Sequence, residues 1–290
     1  MYSNMNELLE LANKKEVPLS EIILENEQKI SSLTEEQIFE KLEKRYQVME
    51  RSAEKALEKS FSTVGSLIEG ISMTQYSYAK SVGTICGNFI NIVMARALSG
   101  SEVNASMGRI CAAPTAGACG ILPAVLVSIS EREHISRRKT LEGLLTAAGV
   151  GAIIMKNATV AGAEGGCQAE CGVAAAMAAV ATVELVGGTP EVALHSVAFS
   201  LMNCMGLICD PVAGLVQIPC AQRNASQAVN ALLSADLALA GMKCLIPPDE
   251  VVGAMYKVGK LLPAALKETS MGGIASTKTG KAIKNSIFGV

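Results

Sequence analysis

Apolar side chains recur at three- and four-residue intervals along most of this chain, and runs that alternate with period two are missing. Ile38, Leu42, Tyr46, Met49 and Ala53 follow the helical spacing. Thr34-Glu35-Glu36-Gln37 just before them is a capping box, in which the Thr oxygen takes a free amide and the Gln side chain reaches back. The pair predicts a helix from there to about Ser60. Beyond Gly65 the texture becomes Ala-, Leu-, Val- and Met-rich. Segments 75–98, 121–131, 140–156, 169–186, 190–206, 222–241 and 249–266 each read as a helix, separated by turns at Gly100, Gly187-Gly188 and Gly214. Small residues such as Ala174-Ala175-Ala176 and Ala178-Ala179 let helix axes approach closely. The expected fold is all-α: a compact helical domain over 63–290 with buried Ala/Gly-rich central helices, preceded by a charged helical arm over 1–62 that packs on it.

Charge sharpens that division. The first 60 residues carry 22 of the 52 charged side chains, so the arm presents a solvated face while the remainder is a greasy core. The net charge of −2 gives no polyelectrolyte handle and argues against a nucleic-acid partner. Mean hydropathy of +0.34 raises the question of a membrane. The uncharged stretch 110–130 holds Pro114 and Pro123, and the uncharged stretch 192–209 holds His195 and Asn203. Neither matches the ~20 mainly apolar residues of a span, so buried helices are expected and no membrane partner. The N-terminus lacks an apolar secretory run, which points to the cytoplasm. There, 9 Cys suggest metal or redox chemistry rather than disulfides.

Four stretches depart from plain helix core. Ala113 to Gly120 (APTAGACG) sets small residues before a helix start, which reads equally as an anion site, suited by free amides and the helix dipole, or as an ordinary turn between buried helices. Ala161 to Cys171 (AGAEGGCQAEC) puts Cys167 and Cys171 four apart on one helix face, beside Glu164 and Glu170, and reads as a metal pair. Cys209 to Cys220 (CDPVAGLVQIPC) sets two cysteines next to Pro211 and Pro219 on an irregular, stiff loop, as cluster ligation by thiolates requires. Glu268 to Lys281 (ETSMGGIASTKTGK) is dense in Gly and hydroxyl residues; it lacks P-loop order and reads as a cap over a pocket or as a free tail. No zinc pattern fits. His134 lies in a charged surface stretch, and His195 reads as a core histidine.

At these residues the sequence resembles the catalytic α subunits of the two-subunit, iron–sulfur-dependent bacterial L-serine dehydratases. The matching motifs are APTAGACGILPAVL at 113–126, NATVAGAEGGCQAE at 157–170, GLICDPVAGLVQIPCAQRNA at 206–225 and ETSMGGIASTKTGKAI at 268–283. The resemblance implies a 4Fe-4S cluster ligated by Cys167, Cys209 and Cys220, with one iron left open to polarise the serine hydroxyl. It implies that Thr115, Ala116 and Gly117 hold the serine carboxylate and that Arg223 and Asn224 line the same pocket. Ala116 stands where some relatives carry Asn. Cys171 falls where the family has an apolar residue, so the resemblance removes it from the ligand set that spacing suggests. Cys86, Cys111, Cys119, Cys204 and Cys244 match no ligand position.

The reaction so implied is dehydration of L-serine to aminoacrylate, which tautomerises and hydrolyses to pyruvate and ammonia without pyridoxal phosphate. The Ser-Ser-Ser-His stretch of single-chain family members is missing here, so a separate β subunit is expected to complete the site in a hetero-oligomer. The general base is left unassigned, with Glu164 and Lys156 as the candidates within this chain. Two other readings stand beside this one. A cluster-dependent L-cysteine desulfidase would release pyruvate from cysteine, and a non-catalytic iron–sulfur protein would close every iron with its own Cys.

Overall fold

The structure, a computed structural model, describes residues 1–289. Among them it contains thirteen α-helices and no strand, and one isolated bridge pairs Cys209 with Lys267. The chain runs α1 (Met5–Lys15), α2 (Leu19–Ser31), α3 (Glu35–Glu58), α4 (Ile71–Ala79), α5 (Gly87–Ala105), α6 (Ile121–Arg132), α7 (Arg137–Asn157), the single turn α8 (Gly162–Gly165), α9 (Val173–Leu185), α10 (Pro190–Asn203), α11 (Cys220–Leu239), α12 (Pro248–Leu261) and α13 (Lys278–Phe288).

Local chemistry sets the starts of these helices. Asn4, Thr34, Ser136, Thr189 and Thr277 each accept an amide of the first turn through their side chains, and the box of Thr34 with Gln37 is closed in both directions. Pro190 occupies the first turn of α10, where a missing N–H costs nothing. The expected helix over 75–98 is instead two helices. The chain breaks at residues 80–86; Gly83 within the break and Gly87 at the start of α5 take positive φ (84° and 72°) that a side chain rarely adopts.

The centre of the molecule is α9. Every one of its residues is buried, and α6, α7, α10 and α11 pack around it. Its alanines make that crowding sterically possible. A comparable close approach joins α5 to the start of α6: a Cβ placed on Gly120 would lie 2.1 Å from the Ala97 carbonyl oxygen. The stretch Gln168–Leu185 is long and apolar enough to cross a membrane, unlike either segment singled out from sequence, and 94% of it is buried inside the fold. At the far end of α9, the buried Glu184 accepts from the Ser20 amide (3.3 Å) and the Thr146 hydroxyl (3.1 Å). The charged arm does not stand apart: Met5, Leu8, Leu19, Ile22, Ile38 and Met49 join the same apolar core as α6, α7 and α9.

Candidate active site

The site forms where α9 begins. Residues Gln168–Gly172 wind as a π-turn ahead of the α-helix. Such a wide turn is uncommon, tends to accompany functional sites, and re-aims side chains relative to α spacing. Gln168 anchors it. Its amide nitrogen donates to the carbonyls of Gly165 (2.9 Å) and Met255 (3.0 Å), and its oxygen accepts from the Gly206 amide (2.8 Å). One buried side chain thus locks the turn to α8, α12 and the segment leading to Cys209.

The ligand atoms of Cys167, Glu170 and Cys209 all lie within 4.8 Å of one another. Glu170 Oε2 stands 4.0 Å from Cys209 Sγ. Cys171, paired with Cys167 by spacing, is buried and is not a member of that group. Cys220, the first residue of α11, is buried and lies outside the 4.8 Å group, within range of the charges of Cys167 and Glu170. Hydrogen bonds from Cys171 and Cys209, with the charge of Arg223, hold the Cys167 thiol well below the ordinary thiol range. Burial pushes the Cys220 thiol up to about 12.

Arg223 orders this corner. Its Nη1 donates to the Ile208 carbonyl (2.8 Å) and faces Cys167 Sγ (3.4 Å), while its Nη2 donates to Asp210 Oδ1 (2.7 Å). Asp210, 1% exposed, uses its other oxygen to accept the Ile274 amide (2.7 Å). The segment after α12 is therefore a cap: Cys209 exchanges backbone hydrogen bonds with Leu266 and Glu268, and Ser270 Oγ donates to the Pro211 carbonyl (2.7 Å).

Across from the cysteines lies the turn Thr115–Ala118. Asn104 Nδ2 donates to the Ala116 carbonyl (3.1 Å) and Asn224 Nδ2 to the Gly117 carbonyl (2.7 Å), drawing the loop's acceptors back. The first amides of a helical turn have no partner within it, so those of Ala116 and Gly117 are left unpaired by the turn. Thr115 Oγ1 is buried beside Glu170 but outside hydrogen-bond geometry to it, and has no other partner. A Cβ on Gly117 would sit 3.4 Å from Glu170 Oε1, and one on Gly162 would sit 2.5 Å from Glu170 Oε2 and 3.3 Å from Cys209 Sγ. Glycine at both positions leaves the carboxylate its room.

The residues singled out from sequence divide into two groups. Cys167, Cys209, Cys220 and Arg223 gather in one corner, with the Thr115–Gly117 loop facing Glu170 beside it. Asn224 reaches it only as a strut, because all its polar capacity goes to Gly117, Cys220 and the Gly120 amide. The two candidate bases lie away from it. Glu164 is ion-paired to Lys260 on the surface, and Lys156 is exposed at the end of α7. His195, read as a core histidine, has no hydrogen-bond partner on either ring nitrogen; Nε2 is 3.7 Å from Glu191. Glu170 is the carboxyl that faces the cysteines, and burial together with the Cys167 charge raises it to about 7. In sequence Glu164 and Glu170 flank Cys167 almost symmetrically, and only the π-turn and Lys260 separate their roles.

The sequence pattern of the family described as serine dehydratase alpha chain matches residues 14–275. The chain is 50% identical over 288 residues to the L-serine dehydratase, alpha chain, of Peptoniphilus asaccharolyticus, covering 99% of both chains. It is 43% identical over 289 residues to the probable L-serine dehydratase, alpha chain, of Bacillus subtilis, covering 100% of this chain and 96% of that one. It is 36% identical to an L-serine dehydratase of Helicobacter pylori over 95% of this chain, which is 62% of that longer protein.

Proposed function

The chain belongs to the serine dehydratase alpha chain family, and from that premise we infer that it is the α subunit of an L-serine dehydratase. It is a lyase: water leaves L-serine across Cα–Cβ, and the aminoacrylate that results gives pyruvate and ammonia. The observation that carries this reading is the pairing of a thiol-rich corner with an opposing loop whose Thr115 hydroxyl is buried without a protein partner.

The donor set fits a 4Fe-4S cluster. Three buried thiols on two rigid segments, one of them (Cys167) held below the ordinary thiol range by Cys171, Cys209 and Arg223, are soft ligands of the kind such clusters take. Cys167, Cys209 and Cys220 would hold it, and when bound it supplies a Lewis acid for the departing hydroxyl. The chain's own residues do the rest. Thr115 Oγ1 and the amides of Ala116 and Gly117 bind the serine carboxylate. Glu170, between the carboxylate loop and Cys209, holds a proton within reach of a substrate lying there. Arg223 and Asp210 fix the cysteine loop, and the 266–276 cap excludes water.

A separate β subunit completes the enzyme. The alpha-chain names of the relatives and the greater length of the Helicobacter protein support this. Val82 and Ile85 stand wholly exposed on the α4–α5 connection, as do Leu261 and Met271 to a large extent near the cap. These apolar side chains suit burial against another chain. The test is pyruvate release from L-serine by the anaerobically reconstituted chain, alone and with its β subunit. Turnover at least tenfold faster with the β subunit is expected. Equal turnover by the chain alone would remove the partner from the reading. Preference for L-cysteine would reassign the chain as a desulfidase.

A further inference from the structure

One sizeable cavity lies apart from the cysteine site. It is a groove of about 770 Å³ lined by Arg51, Ser52, Lys55, Tyr76, Arg96 and Arg109, formed by α3, α4, α5 and the connection from α5 to Thr115. A smaller cavity of about 280 Å³ adjoins it, shares Val48 and Arg109, and adds Lys41 and Arg45. Among the described residues, none of Lys41, Arg45, Arg51, Lys55 and Arg109 has a carboxylate within ion-pair distance. The rest of the α3 surface behaves differently: Lys44 pairs with Glu40, and Glu43 and Glu50 pair with Arg137.

Lys41 with Arg45 and Arg51 with Lys55 are like charges four apart on one helix, an arrangement that destabilises an isolated helix. Two acids, Glu54 and Glu58, also line the groove. Against these two acids stand four lining cations, Arg51, Lys55, Arg96 and Arg109, so the groove remains cationic. Arg96, by contrast, is a fixed part of the groove wall. It is 7% exposed and lines the groove, its Nη1 and Nη2 are taken by Ser128 (2.9 Å) and Glu131 (2.6 Å), and its Nε is buried with no acceptor.

We propose that this groove binds a small phosphorylated molecule, with the phosphoryl dianion held between Arg51, Lys55 and Arg109. A dianion answers several unpaired cations with one group, and the planar Arg fork matches its oxygens. A cavity of this volume falls in the range of small-ligand sites. Arg109 lies on the connection that ends at Thr115, so an occupant would tether the far end of the segment carrying the carboxylate-binding loop.

The test is calorimetric titration of the full chain with inorganic phosphate, against potassium chloride at matched ionic strength. Saturable binding of one phosphate per chain is expected. Arg51→Ala and Arg109→Ala, on separate elements, should each weaken it about tenfold or more. Lys29→Ala, the same charge change away from both cavities, should leave it within about twofold. Far-UV circular dichroism establishes that each variant is folded, and Arg109→Lys serves if Arg109→Ala is not. Non-saturable heat, equal loss in Lys29→Ala, or unchanged binding in both Arg variants overturns the proposal. So does loss of phosphate binding in the complex with the β subunit, which would make the groove a protein interface.

Discussion

Replacing Arg223 with Met should expose how the cysteine corner is held. The substitution keeps the apolar stem and removes the guanidinium that joins Asp210 (2.7 Å), the Ile208 carbonyl (2.8 Å) and Cys167 Sγ (3.4 Å). Asp210 then remains as a buried carboxylate with only the Ile274 amide for a partner. Stranding one member of a buried pair costs about 3–5 kcal/mol. That is a large part of the ~5–15 kcal/mol that stabilises a typical domain. Asp210→Asn alone sets an amide donor against Arg223 and should also destabilise. With both changes, neither charge is stranded, so the double variant should be ~1–3 kcal/mol more stable than the sum of the singles predicts. Urea denaturation under anaerobic reducing conditions, extrapolated to water, measures all four corners of the cycle. Free energies that add to within ~0.5 kcal/mol would refute the coupling, and with it the role of Arg223 as the brace of the site.

Gly120→Ala should cost about 3 kcal/mol, since its Cβ would meet helix backbone at the Ala97 carbonyl and α5 and α6 would have to separate; an unchanged thermal midpoint contradicts this. Burial raises the Glu184 carboxyl, so the fold favours its neutral form. Its stabilising share is then complete below the unfolded value near 4.5 and is lost as pH rises through the folded value. Glu184→Gln should flatten the fall in melting temperature over that window, and parallel curves for parent and variant would count against it. Glu170→Gln should reduce serine turnover by about a hundredfold or more, whereas Glu164→Gln should leave it within about threefold. The reverse order would return the proton-holding role to Glu164.

Much of the fold is legible along the chain because helix signals are local. The capping box at Thr34, the Pro at the start of α10 and the alanine density of α9 each act within a few residues. The break between α4 and α5 is harder to read, because an apolar helical pattern continues on both sides of the glycines that interrupt it. The cysteine segments are legible as unusual sequence, yet their geometry depends on partners far along the chain. Gln168 sets the π-turn through Met255 and Gly206, and Glu164 is drawn outward by Lys260. Asn224 is adjacent to Arg223 in sequence, but one helical step turns it to the loop backbone instead of the cavity. The motif resemblance gathers Cys167, Cys209 and Cys220 without such information. It leaves out Glu170, which the folded turn aims at them.

The central claim is that Cys167, Cys209 and Cys220 hold a cluster with one iron open to substrate. Mössbauer spectra of the anaerobically reconstituted enzyme with its β subunit, recorded without and with L-serine, test it most directly. The account predicts that serine shifts the parameters of a single iron site and leaves the others unchanged, and that the cluster signal is lost in Cys209→Ala. A spectrum indifferent to serine, or a full cluster retained in Cys209→Ala, would contradict it.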